Sequence, residues 1–115
     1  MKRFDQYCLF ETCNAIEAIE KIINSSQNER LLFIVNKKYK ILGTLSEGDI
    51  IRSLMINKNI ENLKVKSIMN KSFKFLLKEN KVEAKRLVKK YNITLIPVVN
   101  KSLKLISVIR LRDII

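Results

Sequence analysis

Two short stretches carry residues spaced for chemistry. In the first, Ser46 and Asp49 stand three apart behind Gly43. A hydroxyl and a carboxylate at that spacing form a capping box when a helix starts between them, each side chain bonding the other's backbone N–H. The same pair suits a ligand. A carboxylate accepts two hydroxyl protons at once, and a hydroxyl beside the N–H groups of a helix start suits an anion. In the second stretch, Arg110 and Asp113 repeat the spacing behind Ser107. Asp113 keeps the carboxylate, while Arg110 offers a planar fork suited to phosphate. Ser46 and Asp49 cap a helix whether or not anything binds, so both readings stand. Asn14 with Glu17 and Asn80 with Glu83 read as helix caps only, and Lys85-Arg86 and Lys89-Lys90 as a solvated helix face.

Composition removes other chemistries. The 115 residues contain no histidine, which excludes Ser-His and Cys-His nucleophile pairs and imidazole acid–base catalysis. Gly43 and Gly48 are the only glycines, too few for a phosphate-cradling loop. Cys8 and Cys13 have no further ligands beside them and read as reduced thiols, so no metal is expected. No apolar run approaches the ~20 residues of a membrane span, and Met1-Lys2-Arg3 is not followed by a signal-like apolar stretch. A cytoplasmic protein without a membrane partner is expected, and by itself not an enzyme. The net charge of +12 attracts polyanions. Because it is mostly lysine scattered along the chain, nucleic acid is not the expected partner on this reading.

The elements that position these residues come in two rounds. Tyr7–Phe10 reads as a short strand. Asn14 then caps a helix with Ala15, Ile16, Ala18, Ile19, Ile22 and Ile23 inward, ended by the polar loop 24–28. Leu31–Val35 is a buried strand, Asn36-Lys37-Lys38 a turn and Tyr39–Leu45 the return strand of a hairpin. Ser46 caps a helix to about Asn57 with Ile50, Ile51, Leu54 and Met55 inward, and 58–63 connects the halves. In the second round Lys66–Asn70 reads as a helical turn and Phe73–Leu76 as a strand. Asn80 caps a helix with Val82, Leu87, Val88 and Tyr91 inward, and Leu95–Val99 and Lys104–Ile109 form a hairpin. Pro97 lacks an N–H, so its strand is expected to lie at an edge or to begin its ladder bonds after it. Leu31 to Ile51 and Leu95 to Ile115 align at a constant offset of 64 residues, with Val35/Val99, Asn36/Asn100, Lys40/Lys104, Asp49/Asp113 and Ile50/Ile114 matching. The fold class expected is α+β: two pseudo-symmetric strand-helix-strand-strand-helix repeats, 1–62 and 63–115, each marginal alone and packed as one unit.

The duplication, the order of elements and the Gly43…Ser46…Asp49 spacing resemble a tandem cystathionine β-synthase (CBS) domain pair, or Bateman module. Pro97-Val98-Val99-Asn100 fits the family's strand before the turn. The wording Thr44 to Arg52 resembles pairs fused to sugar nucleotidyltransferases and sugar-phosphate isomerases. The resemblance implies a regulatory module binding an adenosine nucleotide (AMP, ADP or ATP) in the cleft between repeats and modulating an attached catalytic domain. Asp49 would hold the ribose and Ser46 a phosphate, with Gly43 in the motif and Ile41 or Ile93 against the purine. Asp113 and Arg110 form the eroded second copy, and the Asp49 site is the favoured one. A homodimer is implied, and the chain reads as the N-terminal module of a larger bacterial enzyme. No cofactor is required. The alternatives are a ligand-free dimerisation or spacer module and, third, a nucleic-acid-binding basic domain.

Overall fold

The computed structural model describes residues 4–25, 28–57 and 59–114. Met1-Lys2-Arg3, loop residues Ser26 and Gln27, connector residue Lys58 and the repeat position Ile115 lie outside the described residues. The chain forms two compact units, Met1–Phe73 and Lys74–Ile115.

In the first unit a 3-10 turn, Asp5–Tyr7, leads into β1 (Cys8–Phe10), α1 (Ala15–Asn24), β2 (Leu31–Val35), β3 (Ile41–Ser46) and α2 (Glu47–Ile56). A second 3-10 turn, Ile60–Asn62, precedes the short α3 (Val65–Ile68). The sheet runs β1-β2-β3, with β1 parallel and β3 antiparallel to β2. As the central strand, β2 carries an unbroken apolar run whose Leu32, Phe33, Ile34 and Val35 are all buried. Leu9, Ala18, Ile22, Leu32, Ile34, Leu45, Ile50 and Val65 share one core.

The helix faces are narrower than periodicity predicts. Ile23, Ile51 and Met55 were expected inward but are exposed, while Ala18, Ile22 and Ile50 are buried. In each apolar doublet one residue points to the sheet and its neighbour lies about 100° round the helix.

The second unit holds α4 (Lys81–Tyr91), β4 (Leu95–Val99) and β5 (Leu105–Arg110), closing on a 3-10 turn at Leu111–Asp113. Its core is Ala84, Leu87, Ile96, Val98, Ile109 and Ile114. The strand expected at Phe73–Leu76 is a single parallel bridge, Leu76 to Val98. Phe75 is exposed, and only Leu76 packs on this core, so one rung forms where β1 makes a strand in the first unit. Val82 and Tyr91, also expected inward, are exposed; Ala84 and Leu87 take that face. Pro97 sits opposite Val108, and its carbonyl accepts from the Leu76 N–H at 3.0 Å. Its proton-less nitrogen therefore faces away from β5 and costs no ladder bond.

The hairpins repeat bond for bond. Asn36 Oδ1 accepts from the Lys38 and Lys40 N–H groups, and Asn100 Oδ1 from those of Ser102 and Lys104. Tyr39 and Leu103 take the left-handed turn position, φ 62° and 64°. Each hairpin shifts register one pair before its turn, at Ile34/Val35 and Val98/Val99.

The compact division falls later than the repeat boundary expected after Asn62. The Ala15 N–H donates to the Leu63 carbonyl (2.7 Å), the Val65 N–H to that of Cys13 (3.1 Å), and Val65 is fully buried in the first core. The segment opening the second repeat thus completes the first unit.

Candidate functional site

Ser46 ends β3 in extended conformation and its Oγ accepts from the Asp49 N–H at 3.0 Å. Asp49 Oδ2 accepts from the Ser46 N–H at 3.0 Å, closing the capping box. Asp49 Oδ1 accepts from Arg52 Nη2 at 2.7 Å. Arg52 folds back over Gly48, where a Cβ would stand 3.3 Å from its Nη1. The Arg52 side chain is 70% exposed, so its ion pair with Asp49 is a weak, exchangeable contact. Arg52 is the residue that cap reasoning misses; its signal is the i,i+3 acid–base spacing from Asp49. Arg30 pairs with Glu47 in the same first helical turn.

Gly43 lies within β3, opposite Ile34. A Cβ there would meet Met69 Cγ and Sδ at 2.7 Å and the Asn70 carbonyl oxygen at 2.9 Å. The Thr44 and Asn70 backbones exchange hydrogen bonds of 3.0 and 2.7 Å across this contact. Close backbone approach therefore requires the glycine. Ile41 is 1% exposed and offers no face for a purine, and Ile93 packs on the second core.

In the second unit Arg110 clasps Asp113 with both arms, Nε to Oδ2 and Nη2 to Oδ1, each 2.9 Å. The Arg110 N–H also donates to Oδ2 at 3.3 Å. Half a capping box survives, because a guanidinium has no acceptor to return. The fold thus joins Ser46 to Asp49 and Arg110 to Asp113, each pair within its own unit.

The Arg110 hydrogen bonds, above all, hold the Asp113 carboxyl below its ordinary pKa. A lowered carboxylate pKa gives stability that is present above the ordinary carboxylate range and lost as pH falls through the lowered value. In urea unfolding, the stability gap between the wild type and Arg110→Gln is expected to be level near neutrality and to close in strong acid. The gap is small, since both side chains are about a third exposed. A gap unchanged in acid would mean that Arg110 acts by packing instead.

Cys8 is buried, Cys13 half-buried, and both are free. Burial, then the Asp5 charge, pushes the Cys8 thiol up to about 12, and burial raises Cys13. Neither is a ready thiolate nucleophile at neutral pH. Among the described residues no His, Cys, Asp and Glu groups gather as a metal site would, and no helix is long and apolar enough to cross a membrane.

Residues 65–115 match the CBS domain family. This match covers less than half of the chain. The solved CBS domains of a Streptococcus pneumoniae transcriptional regulator share the fold of nearly the whole chain, with TM-score 0.77 at 17% identity over 96% of this chain and 87% of that one. The architecture is accordingly the α+β CBS fold. A Methanocaldococcus jannaschii protein proposed as an archaeal homologue of g-AMPK superposes with TM-score 0.78 at 24% identity, over 93% of this chain and 44% of its own. The cytosolic domain of the Mg2+ channel MgtE, solved with ATP, gives TM-score 0.73 at 21% identity, over 95% and 44%. In sequence, 91% of the chain is similar, at 28% identity, to part of homoserine O-acetyltransferase from Methanococcus vannielii, and it spans 22% of that enzyme's length. The Gly43…Ser46…Asp49 half lies outside the residues matched to the CBS family, and the eroded Arg110…Asp113 half lies within them.

Proposed function

We propose that the chain is a ligand-sensing regulatory module and that Ser46 and Asp49 hold an adenosine nucleotide. The observation that carries this reading is the state of the Asp49 carboxylate. One oxygen is fixed by the Ser46 N–H, and the other carries only an exposed arginine contact that a ribose diol can displace. Ser46 Oγ accepts one bond and keeps its proton to donate to a phosphate. Asp113 offers no such opening, since Arg110 already occupies both of its oxygens. The reading is supported by the ATP bound to the MgtE domain and by the proposed g-AMPK homologue with the same fold.

A ligand that favours one arrangement of the module shifts its population and so passes a signal to an attached enzyme. The likeness to part of an acetyltransferase supports a catalytic domain beside the module. Pairing with a sugar nucleotidyltransferase rests on the Thr44–Arg52 wording alone. Assembly as a homodimer belongs to the same proposal. The second reading, a ligand-free dimerising spacer, is favoured by the mutual satisfaction of Ser46 and Asp49 in the capping box.

Calorimetric titration of AMP, ADP and ATP separates the two. The sensor reading expects one site per chain, lost in Asp49→Asn and kept in Asp113→Asn. Binding indifferent to Asp49→Asn would overturn the assignment, and no binding at all would leave the spacer.

A further inference from the structure

The positive charge is unevenly shared. Residues 74–115 hold eleven of the 23 Lys and Arg but three of the 11 Asp and Glu. Each of the three acids is engaged: Glu83 with Arg86, Asp113 with Arg110, and Glu79 accepting from the Ser107 hydroxyl at 3.0 Å. Scattered along the sequence, the lysines do not single out a nucleic-acid site. The fold gathers several of them on α4.

Lys81, Lys85 and Lys89 stand four apart on the outward face of α4, all exposed, and none has a carboxylate partner among the described residues. Four residues rise about 6 Å along a helix. The result is a row of cations that rises by about the spacing of successive phosphates of an extended strand and winds about 40° round the helix at each step. Arg86 and Lys90 flank the row. At the end of the helix, Lys74 Nζ lies 4.4 Å and Lys90 Nζ 5.4 Å from the Tyr91 ring centroid. Lys74, then Lys90, pulls the Tyr91 hydroxyl below its ordinary pKa, a sign of the positive potential there.

The row is not explained by helix stability. Like charges at i,i+4 destabilise a helix, and Lys81 and Lys85 stand in its first half, where the macrodipole disfavours cations. The apolar residue on the same face is Val82, without the Phe, Trp or Leu that inserts into a lipid surface. Lysine ammonium groups bind phosphate oxygens as point charges, and such contacts carry no sequence information. We propose that the Lys81–Lys85–Lys89 face of α4 binds the phosphate backbone of single-stranded nucleic acid without sequence preference. This surface is independent of the Asp49 site.

The test is fluorescence anisotropy of a labelled oligothymidine of about 20 nucleotides, titrated with the full chain at several salt concentrations. Three contacted phosphates predict that log K falls with log salt at a slope of about −2. The triple variant Lys81→Gln, Lys85→Gln, Lys89→Gln is expected to bind about 100-fold more weakly at 0.1 M salt, with a flat salt dependence. Glutamine keeps the helix propensity, and an unchanged melting curve verifies the fold. The control, Lys37→Gln, Lys38→Gln and Lys40→Gln, removes the same charge from the exposed turn of the first unit and is expected to bind as the wild type does. Equal loss in both variants, no binding of the strand by the wild type, or preferential binding to phosphatidylglycerol vesicles would each overturn the proposal.

Discussion

Replacing Gly43 by alanine is expected to cost about 2 kcal/mol of stability, within the range of core overpacking. The new methyl would stand 2.7 Å from two Met69 atoms and 2.9 Å from the Asn70 carbonyl oxygen. Met69 could rotate away. Asn70 could not, because its backbone is held to Thr44 by bonds of 3.0 and 2.7 Å. Either the bridge breaks or the strand shifts against its Ile34 neighbour. In a chain of this size the melting midpoint should fall by about 8 °C. Gly43→Val, with a branched side chain, should fall further. A midpoint unchanged in Gly43→Ala would mean that the Met69–Asn70 segment does not cross β3 here.

The second large effect is at Val65, fully buried in the core of the first unit. Val65→Ala removes two buried methyl groups and leaves a cavity, so a loss of about 2 kcal/mol is expected. Truncation makes the same point more sharply. A fragment of residues 1–73 should unfold cooperatively. A fragment of residues 1–62 loses Val65, the acceptor of the Ala15 N–H, and the strand-edge partner of Thr44. It should show no cooperative transition by circular dichroism and urea. Equal unfolding of the two fragments would contradict the account of the first unit.

Much of this fold is local enough to read from sequence. The caps at Asn14, Ser46 and Asn80 form as their spacing predicts, because an N-cap side chain reaches only two or three residues ahead. Both hairpins follow from apolar runs separated by the same asparagine turn. What stayed hidden depends on distant partners. Val65 reads as part of the second repeat, yet its packing is decided by Cys13 and the first core. Phe73–Leu76 has strand-like residues but finds a neighbour only at Leu76. In the candidate site, Ser46 and Asp49 are legible as a pair. The arginines over Asp49 and Asp113 arrive from opposite directions, Arg52 from three residues ahead and Arg110 from three behind, and the i,i+3 acid–base spacing is the local signal of both contacts. Apolar doublets such as Ile50-Ile51 and Leu54-Met55 leave the inward residue ambiguous until the sheet is placed.

The central claim is that Asp49 anchors an adenosine nucleotide, and the most direct measurement is the melting midpoint of the chain with and without AMP, ADP and ATP. A ligand specific for the folded state, at about 100 times its dissociation constant, stabilises by about 2.7 kcal/mol. For a chain of this size that is a rise of several degrees. The account predicts such a rise with one of the three nucleotides in the wild type, and none in Asp49→Asn. The same rise in wild type and Asp49→Asn, or no rise with any nucleotide, would contradict it.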